Sequence, residues 1–153
     1  MPGIGNRAVL FTLDDQRYSI PLSTVERVVR MVAITSLPRA PALVLGMVNL
    51  QGRVIPVLNL RRRLRLPERD VAAADHLVIA HTARRTVALA VDAATGVLEY
   101  SMQQAVAAHD IVPGIECTEG VVKLVDGLVL IHDLDRFLSL DEDESLDRAL
   151  GAI

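Results

Sequence analysis

Apolar and polar positions alternate in short runs along most of the chain, and turn residues punctuate the runs at close intervals. That rhythm predicts many short strands rather than long helices. Arg7 to Asp14 reads as a strand, Asp14-Asp15-Gln16 as a turn, and Arg17 to Pro21 as the return strand. Leu22 to Arg30 carries two signals: Ser23 suits the cap of a short helical turn, while Val25, Val28 and Val29 favour a strand. Pro38 and Pro41 bracket an exposed turn, because neither donates to a ladder. Ala42 to Leu45 is expected to form one helical turn ended by Gly46.

Met47 to Leu50 and Arg53 to Leu58 then form a hairpin about Gln51-Gly52, with Gly52 supplying the positive φ of a tight turn. Pro56 marks the second strand as an edge or bulged one. Asn59 is placed to cap a short helix that buries Leu60 and Leu64. His76 to His81, Thr86 to Asp92 and Val97 to Ser101 read as three further strands, with a turn about Ala83-Arg84. Gln103 to Glu119 is irregular and holds a turn signal at Pro113-Gly114. In the tail, Ser139 and Glu142 form a capping box, and Leu146, Ala149, Leu150 and Ile153 make the apolar stripe of a C-terminal helix.

The chain also contains part of itself twice. Gly46 to Leu64 aligns without a gap on Gly120 to Leu138, with Gly46/Gly120, Val48/Val122, Leu50/Leu124, Leu60/Leu134, Arg62/Arg136 and Leu64/Leu138 identical. Upstream, the segment from Val9 to Arg30 echoes that from Leu77 to Glu99. Two halves with one supersecondary plan imply two similar structural units, each of about five strands: an all-β chain folded as a pair of small barrels. The alternative is two unrelated hairpins that share a generic apolar pattern.

Composition narrows the function. The 153 residues include no Trp and few other aromatics, so the core is built from Val, Leu, Ile and Ala, and base-stacking platforms are poorly supported. Cys117 is the single cysteine, which excludes an internal disulfide. No apolar run suits a membrane span or a secretory signal, and the expectation is a cytoplasmic protein without direct membrane insertion. The net charge of -3 divides sharply: residues 1–69 hold 11 Arg against Asp14, Asp15, Glu26 and Glu68, whereas acids dominate the remainder.

Chemistry is sparse. Nucleophile-elbow, P-loop, dinucleotide and zinc-protease motifs are all missing. His76, His81, His109 and His132 lack metal-ligand spacing, and Cys117 lies between acids that discourage its thiolate. The expectation is no catalytic residue, no metal and no cofactor. Arg61, Arg62, Arg63 and Arg65 invite a nucleic-acid reading, but a helix that turns Leu60 and Leu64 inward in an acidic protein argues for a solvated face or a protein contact.

The stretch from Leu37-Pro-Arg-Ala-Pro through Gly46-Met-Val-Asn-Leu-Gln-Gly to Val54-Ile-Pro-Val-Leu-Asn-Leu60 resembles the CheW family of chemotaxis coupling proteins. So do Tyr18-Ser-Ile-Pro-Leu22, Val91-Asp92, Gly96-Val97 and Val129-Leu-Ile-His-Asp-Leu134, and the similarity spans essentially the whole chain. The resemblance implies a single CheW-like domain over 1–153, of two SH3-like five-stranded barrels with a hydrophobic groove between them. The expected division is one subdomain at about 15–70 and another at about 75–138, with segments 7–14 and 139–153 packing across.

It further implies a non-enzymatic adaptor that links chemoreceptor cytoplasmic tips to the regulatory domain of a CheA-type histidine kinase, recruited to membrane-associated receptor arrays. Matching the family's interaction segments, Val25, Arg27, Gly46, Val48, Asn49, Gln51 and Gly52 are the expected partner-binding residues, the turn residues being exposed. Three positions depart from the family pattern. Gln51 stands where Arg is usual, Asn59 where Asp is usual, and Arg27 where an acid is frequent. The alternative these departures raise is a divergent scaffold of a non-flagellar pathway with altered or lost kinase binding.

Overall fold

A computed structural model describes residues 6–101, 105–107, 118–124 and 127–151. In chain order the strands are β1 (Asn6–Leu13), β2 (Gln16–Pro21), β3 (Val25–Arg30), β4 (Val44–Leu50), β5 (Arg53–Leu58), β6 (His76–His81), β7 (Thr86–Val91), β8 (Ala93–Tyr100), β9 (Ala105–Ala107), β10 (Thr118–Leu124) and β11 (Gly127–His132). The helices are α1 (Leu60–Arg63) and α2 (Leu140–Gly151). One sheet has the order β3-β6-β7-β5-β4, the other β8-β1-β2-β11-β10-β9. The expected all-β pair of barrels is what forms.

The internal repeat is a repeat of backbone register. Hairpin β4–β5 pairs Gly46 with Val57 and Leu50 with Arg53; hairpin β10–β11 pairs Gly120 with Ile131 and Leu124 with Gly127. Both ladders slip at the same place, between Val44 and Gly46 and between Thr118 and Gly120. Each hairpin then runs into a capped turn, where the Asn59 side chain accepts the Arg62 N–H and Asp133 accepts the Asp135 N–H. Two unrelated hairpins would not share bulge and cap, so that alternative falls.

The upstream echo is equally literal, and it changes how the barrels are assembled. Hairpins β1–β2 and β6–β7 correspond, as do β8 and β3, and the slip between Val25 and Arg27 opposite β6 recurs between Leu10 and Phe11 opposite β8. Yet β6 and β7 join β3, β4 and β5, while β1 and β2 join β8, β10 and β11. The strands are therefore shared differently from the expected division at about 70–75. The first barrel is built from strands within 25–91, and the second from 6–21 together with 93–132. The parallel pairings that decide this, Val57 with Ala88 and Ile131 with Ser19, join distant segments. A periodic pattern cannot specify such partners.

Two local expectations are corrected. Ala42 to Leu45 is not a helical turn: Val44 N–H reaches Pro41 O at 2.9 Å in a tight turn, and β4 starts at Val44. Pro56 lies on β5, which is interior to its sheet. It is tolerated because the opposite residue, Met47, turns both backbone groups to Thr35 at 2.8 Å. On its other side β5 meets β7 only at Val57 and Leu58, so the missing N–H forfeits no ladder bond. The Thr35–Met47 bridge also closes the first barrel, as β9 closes the second against β10.

Three apolar clusters follow. Val48, Ile55, Val57 and Leu77 fill the first barrel, and Val122, Val129, Ile131 and Ala8 hold the matching places in the second. The opposite strand faces, with Phe11, Tyr18, Ile20, Leu58, Leu60, Val78, Leu89 and Phe137, make a third cluster shared by both sheets. Helix α2 seals it with Leu146 and Ala149, both buried. The capping box forms as read, with Ser139 N–H to Glu142 Oε1 at 2.9 Å and Glu142 N–H to Ser139 Oγ at 3.1 Å. Buried Asp143 accepts from Arg84 and Arg85, which fixes the helix to the β6–β7 turn. Ile153, Cys117, His109 and the Pro113-Gly114 turn lie outside the described residues.

Candidate docking surface

Val25 and Arg27 lie on β3, which ends its sheet beside β6, and β8 ends the other sheet beside β1. These two strands border a groove of about 580 Å³, walled by Val25, Arg27 and Val28 on one side and by Ala94, Gly96 and Val97 on the other. Val28 and Val97 are 38% and 55% exposed, unusual for large apolar side chains. They occupy matching positions, just past the slips in the β3–β6 and β1–β8 ladders. The repeat thus sets one exposed valine on each wall. Sequence reading missed this pair, although both residues stand at equivalent places in the upstream echo.

At the β4–β5 turn, Asn49, Gln51 and Gly52 form an exposed hairpin tip. Gln51 and Gly52 both have positive φ, 53° and 84°, as a two-residue type I′ turn requires, and Asn49 Oδ1 accepts the Gly52 N–H at 2.9 Å. Gly46 and Val48 do not belong to this surface. Val48 is 2% exposed inside the first barrel, and Gly46 is buried against the Thr35 backbone. Alternation along β4 puts them inside while Asn49 points out. The exposure expected of them is therefore not found, and both positions lie in the interior.

An ion pair ties the tip to the groove. Arg53, immediately after the turn, donates through Nη1 to both Glu26 oxygens at 3.1 and 2.8 Å, and through Nη2 to Thr86 Oγ1 at 3.4 Å. His81 completes the row, with Nδ1 2.9 Å from Thr86 Oγ1 and Nε2 3.3 Å from Glu26. The row crosses β3, β6, β7 and β5. Its hydrogen bond from Arg53, against a smaller opposing effect of burial, holds the Glu26 carboxyl below its ordinary pKa. This pair, which the sequence did not single out, places a charge-assisted contact two residues after Gln51, within the molecule itself.

The basic cluster is largely spent inside the molecule. Arg61 is buried and meets Asp14 and Asp92 at 2.8 Å each, and Arg62 faces Glu68 at 3.6 Å. Arg63 pairs with Glu142 and donates to the Phe137 carbonyl at 2.9 Å. These guanidinium charges hold α1 in place, which leaves a weak basis for phosphate binding. No helix among the described residues is long and apolar enough to cross a membrane.

Comparison with known proteins agrees with this architecture. Chemotaxis protein CheW of Rhizobium meliloti (strain 1021) is 27% identical over 143 residues, covering 92% of each chain. Chemotaxis protein CheW of Thermotoga maritima is 28% identical over 128 residues, covering 84% of each. The crystal structure of scaffolding protein TtCheW from Thermoanaerobacter tengcongensis has the same fold, with a TM-score of 0.81 at 24% identity over 90% of this chain and 95% of that one. The family model described as CheW-like domain matches residues 7–142, and the chain belongs to the CheW-like domain family.

Proposed function

We propose that this chain is a non-enzymatic scaffold of chemotaxis-type signalling, which couples chemoreceptor cytoplasmic tips to the regulatory domain of a CheA-type histidine kinase. The observation that carries the reading is the family match across 7–142 on a molecule that exposes both an apolar groove and a hairpin tip. A coupling protein needs two such surfaces, because one partner must not displace the other. The names of its relatives, chemotaxis proteins and a scaffolding protein, support the same role. On this reading residues 1–153 act as one domain, and the protein is cytoplasmic and reaches the membrane only through its receptors.

The partner surface then comprises Val25 and Arg27 in the groove with Asn49, Gln51 and Gly52 at the tip, while Gly46 and Val48 support it from within. A second reading, a scaffold of a non-flagellar pathway with altered or lost kinase binding, is favoured by Gln51 at the tip and Arg27 in the groove. Co-sedimentation of the purified chain with a receptor tip fragment, a kinase regulatory domain, and both together tests the two. Formation of the ternary complex supports coupling. Binding to the tip alone selects the second reading, and binding to neither partner overturns both.

A further inference from the structure

The walls of the groove differ in charge. The β3 side presents Arg27, Arg30 and His76, whereas β8 contributes only Ala94, Gly96 and Val97. Among the described residues, the one acid that lines it, Glu26, is already engaged by Arg53 at 2.8 Å. Arg27 Nε is shielded from solvent, makes no hydrogen bond, and stands 4.0 Å from Glu26. His76 Nδ1 is likewise shielded without a hydrogen bond. Across the groove, Gly96 leaves open space where any side chain would project.

A partner that covers this groove removes water from Arg27 as well as from the two valines. Burying a guanidinium further without a second acid is costly, whereas a carboxylate arriving in the groove can pair with its charge. A neutral or basic partner would leave that cost uncompensated. Resting on the scaffold reading above, we propose that the groove between β3 and β8 takes an apolar polypeptide segment that carries an acidic side chain. Arg27 pairs with that carboxylate while Val28 and Val97 grip the apolar part. Arg27 is thus a specificity-determining residue, and its position on the β3 wall sets which side of the segment carries the acid.

The test uses the full chain and, as probe, a soluble chemoreceptor cytoplasmic tip fragment, titrated calorimetrically, with melting curves to show that each variant folds. Arg27→Gln is expected to weaken binding about tenfold or more, Arg27→Glu further, and Arg27→Lys less than either. Replacing the paired acid of the fragment by its amide should make the wild type and Arg27→Gln bind alike. Val97→Asp serves as a control for the groove itself. Wild-type affinity in Arg27→Gln and Arg27→Glu, with loss in Val97→Asp, overturns the charge pairing but leaves the groove in use. Wild-type affinity in all of these variants overturns the groove as the site. A wild-type chain that binds neither the fragment nor a kinase regulatory domain sinks the scaffold reading itself.

Discussion

A Cβ placed on Gly46 would lie 2.3 Å from the carbonyl oxygen of Thr35. That oxygen accepts the Met47 N–H at 2.8 Å, so it cannot retreat without opening the bridge that closes the first barrel. Gly46 also has a φ of +154°, a conformation other residues rarely adopt. Gly46→Ala is expected to cost about 3 kcal/mol or more, and Gly46→Asp to prevent folding. Gly52, with open space around it and a φ of +84°, should lose only about 1 kcal/mol as Gly52→Ala. Denaturant unfolding of the three variants checks the ranking, and equal losses at both glycines would refute it.

At the hairpin tip, Gln51 holds a φ of 53° that Asn adopts more readily. Gln51→Asn should therefore raise stability by about 0.5 kcal/mol. Gln51→Arg should leave stability nearly unchanged and add a fork of charged donors at an exposed position. Its expected effect is a rise of about twofold to thirtyfold in affinity for a conventional CheA-type regulatory domain. An affinity unchanged by Gln51→Arg removes this residue from the docking surface.

The hairpin at 47–58, the Asn59 cap, the Ser139/Glu142 box and the repeat were legible because each is written in neighbouring residues. Local chemistry sets a turn or a cap, and an alternating pattern sets a strand. The exchange of hairpins β1–β2 and β6–β7 between the barrels was not legible, because it rests on parallel pairings such as Leu130 with Tyr18. The exposure of the candidate surface was half legible for the same reason. Gln51 and Gly52 announce an exposed turn, but Gly46 and Val48 sit in the same motif and face inward. The Glu26–Arg53 pair, separated by 27 residues, needed the sheet to bring it together.

Asn59 shows why a departure from the family pattern need not be a loss. Its Oδ1 accepts the Arg62 N–H at 3.3 Å while its Nδ2 donates to Glu68 at 2.9 Å. Asn59→Ala should cost about 1 kcal/mol through the lost cap. Asn59→Asp keeps the cap but sets two carboxylates face to face, so it too should destabilise at neutral pH. Adding Glu68→Gln to Asn59→Asp should restore stability, since the amide can donate to the new acid. Melting temperatures of the single and double variants decide it, and additive losses would rule out the coupling.

Acid should loosen the molecule at one cluster first. Asp92 accepts from Arg61 at 2.8 Å, from Arg69 at 2.6 Å and from the Asp14 N–H at 2.9 Å, and Arg69 also binds Asp75 at 2.8 Å. Burial alone would raise both carboxyls. For Asp92 the hydrogen bonds and charges of Arg61 and Arg69, with the Asp14 N–H, outweigh it; for Asp75, Arg69 and the Ala72 N–H do so. Both are held below the ordinary 3.8. A carboxyl depressed in the folded state binds its proton more readily when unfolded. Its stabilisation is therefore fully present above the unfolded value and is lost as pH falls through the folded one. The melting temperature should stay level from about pH 7 to 5 and decline below about pH 4. Asp92→Asn strips Arg61 and Arg69 of a shared acid and should cost about 3 kcal/mol at pH 7. Because the wild type itself loses this charge in acid, the two melting curves should converge below about pH 4. Curves that remain parallel down to pH 3 would show that the cluster does not set the acid limit.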